Sequence, residues 1–476
     1  MSTIELFLQK NFLSKIISLF LKSFPFSKSI VQVSTFTFFR YGSGLQGLLP
    51  YRDFKWLSED QINARDFMKI DPDANRWFAL EVDLEYPTEL HNLHNDYPLA
   101  VEKRCVLKEE LSPYNQAFLK NLGEKHHSVE KLIPDLKDKS NYVCSLKNLQ
   151  FYVKQGLRLK KIHKVLTATQ AAWMEPFITF NTLKRTAATS KFEKDFFKLM
   201  NNSCYGKLIE DIRKRMRVTA ILNGARATRL TKKPQVSGFH ILDEEVTLLQ
   251  SIPRIATLNK PIAAGFQVLE SAKLLMAEWW YCKLKPKYGD GIKLLMSDTD
   301  SFLYQVKTED IYKDMIDMKE DMDMSEYPKG ACIKTSEGLL PLYDGINKKV
   351  IGKMSDEKPG DIISEVVALK PKMYSIKTQS YWYPSIDPFP TTKRAKGIPK
   401  VAQKRMTFDD YLHILKTSST STTKFRSIRS IKHVNKTLEF KKRALSAFDD
   451  KKFILDDGIC TLSYGHFKIP LVPAKL

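Results

Sequence analysis

The sequence predicts a mixed α/β protein in which antiparallel strands are joined by tight turns. Two short apolar runs, residues 293–296 and 302–306, flank four turn-forming residues, a pattern typical of a β-hairpin. Residues 191–206 have apolar side chains at helical spacing, and a second such pattern begins at Pro261. Strands and helices of these lengths indicate a globular α/β chain.

The turn of the predicted hairpin is acidic and consists of Ser297, Asp298, Thr299 and Asp300. The two-residue period of a strand places Asp298 and Asp300 on the same side of the chain. Two carboxylates so close together repel each other unless a positive charge lies between them. Mg²⁺ fits that position, because it binds carboxylates and keeps places for water and phosphate oxygens. The alternative interpretation is an ordinary hairpin with an acidic turn.

The predicted helix over residues 191–206 has two distinct sides. One side is apolar and consists of Phe192, Phe196, Leu199 and Met200. Another carries the polar side chains of Lys191, Lys194, Lys198 and Asn202. Such lysines form either a solvated face or, together with the following Asn-Ser-x-Tyr-Gly, a surface that binds a triphosphate.

The charge of the chain points to a polyanionic partner. The 476 residues carry a formal net charge of +22, which favours nucleic acid over a membrane surface. Residues 393–443 contain 15 Lys and Arg against 3 Asp and Glu, a net +12, so this segment is predicted to bind the polyanion. No apolar run is long enough to span a membrane. The six scattered cysteines indicate reduced thiols in an intracellular protein.

Along the chain, further elements are predicted from composition. Strands are expected at 78–84, 142–152, 362–369 and 373–376, and the helix that starts at Pro261 is expected to end before Pro286. The region beyond 400 is expected to be mostly helical, with a loop at 417–423. Residues 1–40 differ in texture: they predict an amphipathic helix broken near Pro25, and are either a mitochondrial leader or a non-native start.

Three motifs occur in a fixed order and together resemble those of family B DNA polymerases. Lys198-x-x-x-Asn202-Ser-x-Tyr205-Gly matches the fingers motif, and Asp298-Thr-Asp300-Ser matches the palm motif. Lys372-Met-Tyr374 matches the Lys-x-Tyr motif of the protein-primed branch. The resemblance covers residues 41–476 and is greatest to the Polinton (Maverick) transposons and related viruses.

This resemblance implies a palm–fingers–thumb architecture with an antiparallel palm sheet. No exonuclease domain is expected, because the few residues before Tyr41 cannot hold the one that the family has. The implied divisions are a non-matching leader (1–40), a first palm segment with an inserted subdomain (41–150), fingers (151–215), palm with the catalytic hairpin (216–392) and thumb (393–476). The implied reaction is addition of deoxynucleotides to a primer 3′-hydroxyl, assisted by two Mg²⁺ ions.

The resemblance also implies a role for each motif residue. Asp300 and Asp298 would be the catalytic, metal-binding carboxylates. The nucleotide-binding residues would be Lys198, Asn202, Tyr205, Tyr41, Lys194 and Lys191. The DNA-binding residues would be Lys372, Tyr374, Lys393, Arg394 and Lys396. The implied partners are primer-template DNA, deoxynucleoside triphosphates and a terminal priming protein.

One position departs from the family pattern. The first palm motif requires an Asp five residues before Tyr41, and this chain has Phe36 there. Phe cannot ligate Mg²⁺, so a catalytic carboxylate is missing, and the superficially similar Glu81 and Asp83 are the alternative source of one. The resemblance as a whole predicts a DNA-directed DNA polymerase. The alternatives are a catalytically impaired DNA-binding remnant and an unrelated basic protein. The sequence indicates an intracellular protein and does not give the compartment, so the nucleus and the mitochondrion both stay open.

Overall fold

A computed structural model of the protein describes residues 28–35, 42–253, 255–336, 338–380, 390–431 and 433–470. The strands, in chain order, are β1 (Lys28–Thr35), β2 (Leu49–Trp56), β3 (Arg76–Glu85), β4 (Glu102–Arg104), β5 (Lys131–Ile133), β6 (Lys139–Ser145), β7 (Arg158–Ala171), β8 (Arg217–Ile221), β9 (Val236–Ile241), β10 (Thr247–Ser251), β11 (Ile292–Ser297), β12 (Ser301–Lys307), β13 (Met322–Asp323), β14 (Cys332–Thr335), β15 (Gly338–Pro341), β16 (Met354–Asp356), β17 (Asp361–Lys370), β18 (Met373–Ser380), β19 (Thr391–Ala395), β20 (Thr420–Ile431), β21 (Val434–Ser446), β22 (Phe453–Ile454) and β23 (Thr461–Leu462).

The α-helices, in chain order, are α1 (Gly42–Gln46), α2 (Glu59–Asn63), α3 (His91–His94), α4 (Pro113–Leu122), α5 (Leu146–Lys154), α6 (Glu175–Ala187), α7 (Lys191–Leu208), α8 (Gly224–Thr231), α9 (Ile262–Glu278), α10 (Lys285–Tyr288), α11 (Ile311–Asp317), α12 (Lys400–Gln403) and α13 (Phe408–Thr417). A π-helical segment, Trp279–Leu284, joins α9 to α10. No helix in the described ranges is both long and apolar enough to cross a bilayer.

An eight-stranded sheet carries the predicted acidic hairpin. Its main order is β11-β12-β1-β17-β18-β19, with β16 beside β1 and β13 beside β16. All pairings are antiparallel except β13 with β16. Phe302 and Tyr304 of β12 are buried in the largest core cluster, together with Trp280. The predicted hairpin and the strands predicted at 362–369 and 373–376 are confirmed. The core cluster packs against this sheet on the side of the hairpin.

Strand β1 is part of the eight-stranded sheet. It pairs with β12 from Lys28 opposite Lys307 to Ser34 opposite Ser301, and it also pairs with β16 and β17. Residues 28–35 are therefore an inner strand of this sheet. The amphipathic helix predicted before Pro25 lies outside the described residues.

A second, four-stranded sheet has the order β2-β7-β3-β6. The strand predicted at 78–84 is confirmed as β3. The strand predicted over 142–152 is wrong in its second half, because β6 ends at Ser145 and α5 follows directly. Ser145 is the N-cap of α5, and its side chain accepts a hydrogen bond from the Asn148 N–H. The capping serine, and not the apolar composition, sets the boundary.

Helices α6 and α7 pack against each other, and Ile178 of α6 and Leu208 of α7 share a core cluster with Leu49 of β2. Asn181 of α6 donates a hydrogen bond to the Asn201 side chain of α7 (2.8 Å), and both residues are buried. The predicted helix over 191–206 is confirmed. Its apolar side faces solvent instead of a core: Phe192 is 77% exposed and Leu199 is 64% exposed. The buried positions of α7 are Asn201 and Leu208.

The helix predicted to end before Pro286 continues past it. The chain remains helical from α9 through the π-helical segment and α10 as far as Tyr288. Proline lacks the N–H that an α-helix would use, and it stands here in the first turn of α10, where that N–H is not needed. The continuous helix leads directly to Gly289 and into β11.

The helical prediction for the region beyond 400 is wrong. Among the described residues beyond 400, the α-helices are α12 and α13 alone, and β20 and β21 form a long antiparallel hairpin whose register runs from Thr420 opposite Ser446 to Ile431 opposite Val434. Residues 417–423, predicted as a loop, include the start of β20. The threonines of this stretch favour an extended backbone because their branched Cβ suits a pleated surface. The basic residues of this region therefore lie mostly on a ribbon and not on a helix.

Candidate functional site

The turn between β11 and β12 holds Asp298 and Asp300 at the end of the hairpin. The Asp298 N–H donates to the Ser301 carbonyl (2.9 Å), and the Asp300 N–H donates to the Asp298 carbonyl (2.7 Å). Thr299 between them has φ +62°, the left-handed conformation that allows so tight a turn. Asp300 is buried, at 8% exposure, whereas Asp298 is partly exposed. The strand–turn–strand prediction for these two carboxylates is confirmed.

Lys372 contacts the carboxylate of Asp298 directly. Its Nζ lies 2.7 Å from each Asp298 oxygen, a bidentate ion pair between residues 74 positions apart. Lys372 stands in the turn between β17 and β18 with φ +64°, and its carbonyl accepts a hydrogen bond from the Lys396 N–H (3.1 Å). The structure therefore brings together two of the sequence motifs, the acidic turn and the Lys-x-Tyr stretch.

The other predicted DNA-binding residues surround the same edge of the sheet. Tyr374 is buried in a small cluster with Met296 and Leu303 of the acidic hairpin. Lys393 and Arg394 lie on β19, opposite Ser375 and Tyr374, so they belong to the eight-stranded sheet and not to a separate C-terminal unit. Lys393 Nζ donates to the Met406 carbonyl, while Arg394 and Lys396 are exposed.

Strand β1 ends beside the acidic turn. Ser34 is opposite Ser301, the residue that follows Asp300, and β1 ends at Thr35. Phe36 and Tyr41 lie outside the described residues. The chain is described again from α1, which packs closely on α9: a Cβ on Gly44 would lie 2.7 Å from the Val268 carbonyl oxygen. The residue after β1 thus follows a strand that ends level with the two carboxylates.

Glu81 and Asp83 lie in the other sheet. Both are on β3, where Glu81 contacts Lys164 Nζ (3.2 Å) and Asp83 contacts His163 Nε2 (2.8 Å). The Asn141 N–H also donates to Asp83 (2.8 Å), and these partners hold the pKa of Asp83 below its usual range. Glu81 and Asp83 therefore lie on a different sheet from the acidic turn and have side-chain partners of their own there.

The polar side of α7 is partly buried near its middle. Lys191 and Asn202 are exposed, Lys194 and Lys198 are half-buried, and Tyr205 packs against a core cluster that includes Leu208 and Val268. Helix α9 packs against α7 and continues toward β11. The nucleotide-binding role implied by the resemblance predicts that these lysines face Asp300 across a cleft, and this arrangement stays a prediction.

Two basic positions near α7 were missed by the sequence analysis. Arg185 of α6 is buried, and desolvation lowers its pKa to about 9. Burial lowers the pKa of Lys349, as do the nearby charges of Arg185 and Lys194. The loop that carries Lys349 reaches the helices because Ile351 packs against their core cluster. Lys348 and Lys349 are adjacent in a loop without periodicity, so no sequence pattern marks them.

The carboxylates at the hairpin turn fit Mg²⁺ in kind but not in number. Two carboxylates supply hard oxygen ligands, yet Asp298 already shares both of its oxygens with Lys372. Among the described residues, no group of three or more histidine, cysteine, aspartate or glutamate side chains is arranged to hold a metal ion. The described residues alone therefore do not complete a metal site.

Comparison with known proteins gives matches among solved structures alone. No family model matches the sequence, and no curated protein matches it. The structure is similar to phi29 DNA polymerase complexed with primer-template DNA and incoming nucleotide substrates, with 13% identity, a TM-score of 0.49, and coverage of 89% of this chain and 59% of the polymerase. Phi29 DNA polymerase complexed with single-stranded DNA gives 11% identity, a TM-score of 0.47, and coverage of 88% and 58%. The chain thus spans less than two thirds of the length of these polymerases.

Proposed function

We propose that this chain is a DNA-directed DNA polymerase of the family B, protein-primed type that binds primer-template DNA but extends it poorly as written. The observation that carries this proposal is the convergence at one edge of the eight-stranded sheet. The acidic turn with Asp298 and Asp300, the Lys372 turn and the end of β1 lie together there, although they are far apart in the sequence. A chance occurrence of the motifs would not bring them to one place.

Asp300 and Asp298 are the proposed catalytic carboxylates and the proposed Mg²⁺ ligands. When bound, Mg²⁺ would supply charge stabilisation for the transferred phosphoryl group. The third carboxylate implied by the family resemblance falls at position 36, directly after β1, where this chain has Phe36. The side chain of Phe36 has no oxygen to offer, which is why we propose weak activity.

The proposed triphosphate-binding surface is the polar side of α7. Lys191, Lys194 and Lys198 supply charge, and Asn202 and Tyr205 follow one and two turns later. The support for this role is electrostatic. Burial lowers the pKa of Lys349, and the positive charges of Arg185, Lys194 and Lys348 are close enough to lower it further. The carboxylates of Asp195 and Glu326 act in the opposite direction on Arg185, and four cations against two carboxylates favour a polyanionic ligand.

The proposed duplex-binding surface is the basic C-terminal region. Exposed cations follow both strands of the β20–β21 hairpin, including Lys424, Lys436 and Lys441. Such side chains bind phosphates without reading sequence. A terminal priming protein as a further partner is part of the proposal on the strength of the family resemblance alone.

A second candidate function is a DNA-binding protein without nucleotidyl transfer. Two observations favour it, namely the phenylalanine at position 36 and the bidentate Lys372–Asp298 ion pair. This ion pair neutralises a carboxylate that the polymerase reaction would need. Both candidates predict DNA binding, so binding alone does not separate them.

The experiment that separates them is primer extension by the purified full-length chain, with Mg²⁺ and all four deoxynucleotides. DNA binding is measured on the same preparation with a labelled primer-template. We expect binding with weak, Mg²⁺-dependent extension that Asp300→Ala removes. Binding without any extension above the Asp300→Ala level would establish the second candidate. Absence of DNA binding would refute both.

A further inference from the structure

A pocket of about 220 Å³ lies between the four-stranded sheet and α9, on elements that the proposed reaction does not use. Arg76 and Trp77 at the start of β3, Lys147 in the first turn of α5, and Gln267 and Glu278 of α9 line it. None of its lining residues belongs to the acidic hairpin, to α7 or to the basic β20–β21 hairpin. Its contents would therefore be separate from DNA and from the incoming nucleotide.

Most polar groups around the pocket have partners within the protein. Trp77 Nε1 donates to Gln267 Oε1 (2.7 Å), and Gln267 Nε2 donates to Ser271 Oγ (3.0 Å). Lys147 Nζ contacts both carboxylate oxygens of Asp73, at 2.9 and 3.0 Å. These groups are consequently fixed in place and form a preorganised wall.

Arg76 is different. Its Nη1 is shielded from solvent and has no hydrogen-bond partner among the described residues, and its guanidinium takes part in no ion pair there. A buried donor without a partner is costly, and more so when it is charged. A guanidinium that lines a pocket in this state is suited to an anion, which it can bind through two parallel N–H groups.

The first turn of α5 adds to this preference. Leu146 and Lys147, its first two residues, line the pocket, and the Ser145 N-cap precedes them. The N-terminal end of a helix carries partial positive charge from its unpaired N–H groups. Arg76 and this helix end approach the same space from different elements.

We propose that this pocket binds a small organic anion, a carboxylate or a phosphate monoester, through the guanidinium of Arg76. The pocket is smaller than the usual sites for drug-sized ligands, so it accommodates a molecule of about ten non-hydrogen atoms. Apolar side chains of Trp77, Phe78, Leu274 and Leu275 line the rest of it and would contact a carbon body. This proposal is independent of the proposed polymerase function.

Glu278 makes the binding depend on pH. It lies on α9 at the pocket, and burial raises its pKa, with Asp73 acting in the same direction and Lys147 and Lys154 acting against it. Arg76 and the Lys147–Asp73 pair are the other charged groups that line the pocket. Ionised Glu278 repels an anion and protonated Glu278 does not. Affinity should therefore increase as the pH is lowered through the pKa of Glu278.

The test measures binding of three probes, inorganic phosphate, phenyl phosphate and benzoate, to the full-length chain by isothermal titration calorimetry. Arg76→Met removes the charge and keeps the length of the side chain, and Arg52→Met, on the exposed strand β2, is the matched control. We expect at least one aromatic probe to saturate, with binding at least tenfold weaker in Arg76→Met and unchanged in Arg52→Met. Preference between phenyl phosphate and benzoate identifies which anion the pocket takes.

Two further measurements guard against a trivial loss of binding. We expect the ligand-free Arg76→Met variant to unfold at a temperature equal to or above that of the native chain, because it removes a partly buried guanidinium whose shielded Nη1 has no hydrogen-bond partner among the described residues. We expect Glu278→Gln to bind the probe several-fold more tightly at pH 7.5, with a flatter pH profile. Equal probe binding by Arg76→Met and the native chain, or binding of none of the three probes, would overturn the proposal.

Discussion

Strand β3 and the β11–β12 hairpin each include a pair of carboxylates separated by one residue, Glu81 with Asp83 and Asp298 with Asp300, and β3 ends with a third carboxylate, Glu85. On β3 the pair lies within the strand, and neighbouring β7 supplies Lys164 and His163 as partners. On the hairpin the pair lies where the chain leaves the sheet. There Asp298 has Lys372 as its partner, and Asp300 is buried in the turn.

The difference shows that the sequence spacing of two carboxylates alone does not make a catalytic site. A carboxylate inside a strand lies beside the neighbouring strand, where a side chain directly opposite can pair with it. A carboxylate in a turn at the edge of a sheet can meet residues from other turns, as Asp298 meets Lys372. The end of β1 reaches the same edge as the hairpin pair.

The largest expected effect is that of restoring a carboxylate at position 36. Phe36→Asp should increase the primer-extension rate by on the order of a thousandfold, equivalent to about 4 kcal/mol of transition-state stabilisation. The measurement is the single-turnover extension rate with Mg²⁺.

Two controls test which of the two carboxylate pairs the extension reaction needs. Asp300→Ala in the Phe36→Asp background should remove the gain, and Glu81→Ala in that background should leave it. Rapid synthesis by the native chain that Glu81→Ala or Asp83→Ala abolishes would show that β3 supplies the catalytic carboxylate. A Phe36→Asp chain that remains inactive would show that more than one motif has been lost.

The second effect concerns the cations of the two regions. On β7, Lys160 and Lys164 form ion pairs with Glu85 and Glu81, whereas Lys424, Lys436 and Lys441 of the β20–β21 hairpin have no ion pair among the described residues. Changing these three hairpin lysines to Gln should weaken duplex binding by on the order of tenfold to a hundredfold, and should lower the slope of log K against log salt by up to about 3.

The matched control for the hairpin lysines changes Lys160, Lys161 and Lys164 on β7 to Gln. Duplex affinity is measured by fluorescence anisotropy over a range of salt concentrations. The β7 variant should retain most of the salt slope, because two of its three cations already have carboxylate partners. An equal loss of slope in both variants would mean that the DNA contacts are spread over the whole basic surface.

The sequence predicted local elements better than their arrangement. The acidic hairpin, β3 and α7 follow from periodicity, which depends on nearest neighbours. The β20–β21 hairpin was missed because its residues are mostly exposed and polar, so no apolar alternation marks it. The Lys372–Asp298 contact joins residues 74 positions apart and is implied by no local pattern. Lys349 and Arg76 were missed for the same reason, since burial and neighbours, not spacing, give them their character.

The third effect is on stability. Lys372→Ala should lower the free energy of unfolding by about 1–2 kcal/mol, because Asp298 would remain partly buried without its cation. Lys164→Ala on β7 should cost less than about 0.5 kcal/mol, since the Lys164 side chain is 64% exposed. Urea denaturation of both variants gives the comparison. Equal costs would show that the Lys372–Asp298 pair is no more than a surface ion pair.

The smallest effect compares one carboxylate from each sheet across pH. Asp356 of β16 is buried, and burial raises its pKa to about 6, although it accepts hydrogen bonds from the Tyr327 hydroxyl (2.7 Å) and the Lys358 N–H (2.8 Å). Its ionisation therefore costs stability, with no cost below the unfolded value of 3.8 and the full cost above about 6. The pKa of Asp83 is lowered instead, so its contribution is present above 3.8 and is lost as the pH falls through its folded pKa.

Asp356→Asn and Asp83→Asn should consequently change stability with opposite dependence on pH. At pH 8, Asp356→Asn should stabilise the chain by about 1 kcal/mol, because the gain from removing a buried charge exceeds the weakened hydrogen bond from Tyr327. At pH 4 the gain should vanish, because the native carboxylate is then mostly protonated. Asp83→Asn should destabilise the chain at pH 8 and have less effect near pH 3. Denaturation midpoints at these pH values test both, and a destabilised Asp356→Asn chain at pH 8 would mean that the buried carboxylate is stabilised in its ionised form by the hydrogen bonds from Tyr327 and Lys358.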